Sequence, residues 1–141
     1  MTKNVIISIT GLQFEADADE AIEVVSRGEY YFRNGKHFLI YEELIEEEHE
    51  VSRCIMKISD RAVELTKHGA SNVHMLFELG NTNMTYYNTP YGELLLTITT
   101  RDIQVKEEEN HLSLVLHYNL DMNYQHVSEC ELRVEVEPVE G

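Results

Sequence analysis

Residues 111–123 read HLSLVLHYNLDMN, and they alternate. Leu112, Leu114, Leu116, Tyr118, Leu120 and Met122 hold one phase. Ser113, His117, Asn119 and Asp121 hold the other, with Val115 as the exception. A period of two over that length makes a β-strand with one buried face, because a helix would scatter the same residues around its whole circumference. The last segment repeats the pattern: Cys130, Leu132, Val134 and Val136 alternate with Glu129, Glu131, Arg133, Glu135 and Glu137, giving an apolar face and an acidic one. Ile22, Val24, Tyr30 and Phe32, set against Glu23, Arg27, Glu29 and Arg33, mark a third strand.

Turn signals recur at the intervals expected of an antiparallel chain. Asn34-Gly35 is the strongest, because both residues tolerate the positive φ of a type I′ turn; YYFRNGKHFLIY therefore reads as a two-residue hairpin. Ser59-Asp60-Arg61, His68-Gly69, Gly80-Asn81, Pro90-Tyr91-Gly92, Glu109-Asn110 and Asn123 to Gln125 supply the others. Together they predict strands at roughly 4–14, 21–33, 36–45, 50–59, 62–68, 73–79, 83–89, 93–106, 111–123 and 126–137. Only EADADEA (15–21) and EELIEEEHE (42–50) favour helix, and both are too short for an amphipathic surface helix, so they read as loops. A flat sheet of ten sequentially paired strands would leave two long edges and an unburied apolar face. Closure into an up-and-down barrel removes both problems. The chain is thus expected to be all-β, a single antiparallel up-and-down barrel of about ten strands with little or no helix, occupying residues 1–141 as one domain.

The segment YNTPYGELLLTITTRDIQV (87–105) adds a detail. Pro90 cannot donate to a ladder and Gly92 reaches backbone angles closed to other residues, so pairing must break there. The strand that follows carries its apolar residues at Leu94, Leu96 and Ile98, then at Ile103 and Val105. That change from even to odd positions requires one extra residue, and a β-bulge within Thr99 to Asp102 supplies it. The run Tyr87-x-Thr89-x-Tyr91-Gly92-x-Leu94-x-Leu96-x-Ile98-x-Thr100, together with the hairpin GEYYFRNGKHFLIYEE (28–43), resembles the signature of the YwiB-like family of uncharacterised bacterial proteins. The resemblance runs along nearly the whole chain. It implies a calycin-like barrel, related in shape to lipocalins and fatty-acid-binding proteins, and it implies no activity. The chain has no Trp and so lacks the Gly-x-Trp motif of lipocalins, whose ligands are not carried over.

Charge limits the partners. Eleven Lys plus Arg against 26 Asp plus Glu give −15, and the basic residues are spread singly along the sequence. Nucleic acid and anionic membranes are disfavoured, because affinity for polyanions comes from cations gathered on one face. Cys54 and Cys130 lie far apart at apolar-phase positions and read as small buried hydrophobes, which suits a reducing cytoplasm. The N-terminal apolar run is too short for a signal peptide, and no segment approaches a membrane span.

No catalytic motif is present: no Gly-x-Ser-x-Gly, no Gly-x-x-x-x-Gly-Lys, no Gly-x-Gly-x-x-Gly and no Cys-x-x-Cys. No metal site or cofactor is implied. His111 and His117 share a phase but lie about 20 Å apart along a strand, too far to share one metal. The ligand-binding candidates are Tyr30, Tyr86, Arg101 and Tyr118: aromatics able to line a barrel cavity, and an arginine at the bulge able to hold a carboxylate or phosphate. Against this stand aromatics that merely fill a narrow barrel and an arginine that points to solvent. The sequence therefore leads to a cytoplasmic, non-enzymatic barrel for a small apolar or amphipathic ligand. The alternative is a protein-interaction module with a filled core, whose acidic outer surface meets a basic partner.

Overall fold

The computed structural model describes residues 3–11, 23–45, 50–69, 72–89 and 92–139. Ten strands follow in order: β1 (Asn4–Thr10), β2 (Glu23–Arg33), β3 (Lys36–Ile45), β4 (Glu50–Ile58), β5 (Ala62–Gly69), β6 (Val73–Glu78), β7 (Thr82–Thr89), β8 (Gly92–Glu108), β9 (His111–Met122) and β10 (Gln125–Pro138). Among the described residues there is no helix. Of the two helix-friendly stretches, Glu42 to Ile45 continues β3 and Glu50 opens β4, while residues 46–49 and 15–21 lie wholly or largely outside the described residues.

The strands form one antiparallel sheet in the order β6-β5-β4-β3-β2-β1-β10-β9-β8-β7, which curls into a nearly closed barrel. Closure is made by the terminal strands: Ile7 of β1 lies opposite Val136 of β10, and Ile9 opposite Val134. The opening lies instead between β6 and β7, although only three residues separate them. Apart from Asn81 donating to the Glu78 carbonyl at 3.0 Å, the backbone of that short turn is committed elsewhere. Leu79 donates to the Arg61 carbonyl at 2.9 Å, Gly80 donates to the Thr100 carbonyl at 3.0 Å, and Thr100 donates to the Asn81 carbonyl at 3.2 Å. The turn is thereby tied to the start of β5 and the middle of β8 and does not seed a hairpin of its own.

The expected bulge sits between Thr100 and Asp102, leaving Arg101 without an opposite residue on β9. It moves the buried phase of β8 from Leu96, Ile98 and Thr100 to Ile103. The Asn34-Gly35 turn has φ of 53° and 74°, both left-handed, as a type I′ turn requires. Gly28, midway along β2, answers a different need. A Cβ there would lie 2.5 Å from the Ile40 carbonyl oxygen and 2.6 Å from Ile7 Cδ1, so strand β2 can cross its neighbours this closely only without a side chain.

Inward residues build one continuous core. Leu39, Met56, Leu65, Met75, Phe77, Leu96, Leu114, Leu116 and Tyr118 are all fully buried or nearly so. Burying each of the larger side chains stabilises the fold by roughly 1.5–3 kcal/mol. Phe77 of β6 meets Tyr118 of β9 edge-on, ring centres 5.0 Å apart and planes at 68°. No helix of the described residues is long and apolar enough to cross a membrane.

Candidate functional site

The outward phase of β2, β3 and β4 carries the most unusual surface. Because the Asn34-Gly35 turn fixes the β2–β3 register, Arg33 stands opposite Lys36, Tyr31 opposite Phe38, and Glu29 opposite Ile40. On the other side of β3, Phe38 pairs with Lys57, Ile40 with Ile55, and Glu42 with Arg53. A shallow groove of about 400 Å³ runs over this face, lined by Glu29, Tyr31, Arg33, Phe38, Ile40 and Arg53. Its apolar lining is aromatic and aliphatic, and its polar lining is the guanidinium groups of Arg33 and Arg53 with the carboxylate of Glu29.

Cations gather around that apolar lining. Lys3 Nζ lies 5.5 Å from the centre of the Tyr31 ring, the Arg33 guanidinium carbon 5.9 Å from the same ring, and Lys57 Nζ 5.4 Å from the Phe38 ring. These distances lie within cation–π range. With Arg27, Lys36 and Arg53, six of the chain's 11 Lys and Arg occupy this one side. Among the described side chains on the outward phase of β2 to β5 they face three carboxylates, Glu29, Glu42 and Glu64. Glu29 accepts the Tyr31 hydroxyl at 2.9 Å, and Glu64 lies 3.8 Å from Lys57. Lys3 titrates above its ordinary value, chiefly through its interaction with Tyr31 and then through the charge of Glu29. Neither Arg33 nor Arg53 has a carboxylate partner among the described residues. The spread of basic residues along the sequence thus becomes a cluster in space, which changes the premise on which polyanions were set aside.

The four residues singled out by sequence do not come together. Tyr30 faces inward and packs against the core, its hydroxyl 2.7 Å from His37 Nδ1. Burial raises the Tyr30 pKa, and Glu107 adds to the rise. Tyr118 is fully buried, and its hydroxyl donates to the Gly11 carbonyl at 3.4 Å. Burial, with a smaller part from Cys130, pushes its pKa far above the ordinary tyrosine value. Tyr86 stands 64% exposed on the outside of β7, and Arg101 is exposed at the bulge. Two face the interior and two face solvent, so no single cavity holds all four.

Other polar groups are placed as follows. His37 is buried beside Tyr30, its Nε2 3.8 Å from Glu107. Burial lowers its pKa, with Glu107 and Asp60 pulling the other way. His117 lies between Asp102 at 3.5 Å and Glu131 at 3.2 Å, while His111 bonds Glu135. Among the described residues no three His, Cys, Asp or Glu are placed to hold a metal ion. Cys54 is buried and Cys130 half-buried, and neither forms a disulfide. A cavity of about 120 Å³ opens at the β6–β7 gap between His74, Leu76, Asn83 and Met84, and the Asn83 amide nitrogen is buried there without a partner.

The groove escapes a reading of the sequence alone for a definable reason. The Asn34-Gly35 turn already sets Tyr31 against Phe38 and Arg33 against Lys36. Arg53 and Lys57 join them only through the β3–β4 register, and the acidic stretch between those strands carries no turn signal that fixes it.

Comparison with known proteins agrees with this architecture. Residues 7–134 match the family model described as "Domain of unknown function (DUF1934)". The chain belongs to this DUF1934 family. A relative within reach is the "Uncharacterized beta-barrel protein YwiB" of Bacillus subtilis (strain 168), 28% identical over 120 residues that make up 82% of each chain. The crystal structure of the ywiB protein from Bacillus subtilis superposes with a TM-score of 0.79 over 98% of this chain and 93% of that one, at 23% identity. The YwiB-like resemblance read from residues 87–100 and the β2–β3 hairpin is thus borne out. The relative's name speaks of a β-barrel, which the strands of this chain also form, and DUF1934 membership leaves the function to be argued from the site.

Proposed function

We propose that this barrel is a binding protein for a small amphipathic ligand bearing negative charge, held on the outer face of β2, β3 and β4. The observation that supports this reading is the groove of about 400 Å³ in which Tyr31, Phe38 and Ile40 floor the space between Arg33 and Arg53. Small-molecule sites commonly measure about 300–1,000 Å³ and combine an apolar lining with a few polar anchors. The ligand's apolar part would lose water against the floor, and its head group would meet a planar guanidinium fork that matches carboxylate or phosphate. The barrel interior is a poorer host, since Leu39, Met56, Leu65, Phe77 and Leu116 are packed there without exposure.

The test is an amide NMR titration with 4-phenylbutyrate and with neutral 4-phenylbutanol. Shifts are expected at residues 29–33, 38–40 and 53, stronger for the acid, and lost in an Arg33→Gln/Arg53→Gln double variant. Shifts confined to core residues, or equal binding of acid and alcohol, would rule this site out.

A second reading has its own support. Glu129, Glu131, Glu135 and Glu137 stand exposed along β10 and could meet a basic protein. If nothing eluted by high salt is recovered with the protein from a lysate, that reading fails.

A further inference from the structure

The structure assigns a narrower chemistry to the groove: a planar aromatic ring joined to a phosphate, the class of the nucleoside monophosphates. This rests on the binding reading above and names its ligand.

Three features of the groove carry the inference. Tyr31 and Phe38 are direct cross-strand neighbours that both line the groove, so this sheet face offers aromatic side chains on which a flat heterocycle can stack. Arg33 stands opposite Lys36 and Arg53 opposite Glu42, so their backbones lie about 20 Å apart along β3 and one phosphate meets only one of them. Arg53, which lies over no ring among the described contacts, presents the fork suited to phosphate oxygens. Arg33 lies over Tyr31, and Lys57 over Phe38, so a base stacking on either ring takes a place beside, or in exchange for, a cation already there. The third feature is Glu29. One of its oxygens takes the Tyr31 hydroxyl, yet an ionised carboxylate offers about four acceptor positions. A fatty acid has nothing to donate to them and gains only from the guanidinium groups and the apolar floor. A nucleoside donates through its exocyclic amine and ribose hydroxyls.

Charge further selects a compact ligand over a polymer. The patch is cationic within a chain of net charge −15. A nucleotide fits within the patch, whereas a nucleic-acid strand leaving it would run onto acidic faces such as that of Glu131 and Glu135.

The experiment titrates the full chain with AMP, adenosine, inorganic phosphate, 4-phenylbutyrate and a single-stranded oligonucleotide, followed by amide NMR. AMP is expected to shift residues 29–33, 38–40 and 53, with adenosine and phosphate alone each weaker by about tenfold or more. Phe38→Ala and Arg53→Gln are each expected to weaken AMP by about tenfold. Arg53 is exposed and its variant should leave the thermal midpoint nearly unchanged, whereas Phe38 is half-buried, so Phe38→Leu, which keeps the apolar bulk and removes the ring, serves as its stability control. If 4-phenylbutyrate binds the groove and AMP does not, the nucleotide inference is overturned and the amphipathic reading stands. If neither binds there, both fall. Tighter binding of the oligonucleotide than of AMP overturns the argument for a compact ligand.

Discussion

Replacing Phe77 by alanine tests how the open edge of the barrel is held. Strand β6 has a ladder on one side only, with β5, so its position depends on what its inward side chains touch. Phe77 is fully buried and lies edge-on to Tyr118 across the interior, ring centres 5.0 Å apart. That contact ties the least-paired strand to β9, which pairs on both sides. Truncating a buried Phe to alanine costs about 3–5 kcal/mol, of which the aromatic pair accounts for about 0.5–1.5 kcal/mol. Domains of ordinary stability hold about 5–15 kcal/mol in total, so the loss is a large fraction. With a urea dependence of about 1–3 kcal/mol per M, the unfolding midpoint should fall by at least about 1 M. Equilibrium urea unfolding followed by circular dichroism measures this, and native-state amide exchange locates it: amides of Val73–Glu78 should lose most protection. A double-mutant cycle with Tyr118→Leu should show coupling of about 0.5–1.5 kcal/mol. A cost below about 1 kcal/mol for Phe77→Ala, or no coupling to Tyr118, would refute this account of β6.

Two further outcomes follow from buried groups. His37 titrates below its ordinary value of 6.5 in the folded barrel, so between 6.5 and its lowered native value the unfolded chain binds a proton that the folded chain does not. Stability should therefore fall as pH drops through that window, and His37→Gln should flatten the slope there; an unchanged slope would show that His37 is not the group responsible. Gly28→Ala places a methyl group 2.5 Å from the Ile40 carbonyl oxygen, a backbone atom that cannot swing aside, and is expected to cost about 1–3 kcal/mol by thermal unfolding. A neutral result would mean that β2 and β3 separate there at no cost.

Much of the barrel is legible in the sequence because each local rule acts on neighbouring residues. The change of apolar phase from Ile98 to Ile103 can be met only by an extra residue, and the bulge lies at Thr100/Asp102 as that requires. Asn34-Gly35 likewise dictates its own turn. What escapes is whatever depends on residues distant in sequence. The break between β6 and β7 has no local mark, since Gly80-Asn81 looks like an ordinary turn. It arises because that turn bonds Arg61 and Thr100, which the barrel brings alongside. The contact of His37 with Glu107 has the same origin, joining β3 to the end of β8.

The charge distribution shows why a sum over the chain misleads about partners. Period-two alternation places every second residue of adjacent strands on one surface, so Arg27, Arg33, Arg53 and Lys57, well separated in sequence, share the outside of β2 to β4. Among the described side chains, six cations and three carboxylates share that face, a local surplus of positive charge within a chain whose total is −15. At physiological salt, charges beyond about 8 Å are largely screened, so an anion seated in the groove responds mainly to the local surplus. An anion extending further meets the opposite sign. On the binding reading proposed above, a barrel charged in this way would separate anions by size, and the apolar floor of Tyr31, Phe38 and Ile40 would then separate the small ones by whether they carry a surface to bury.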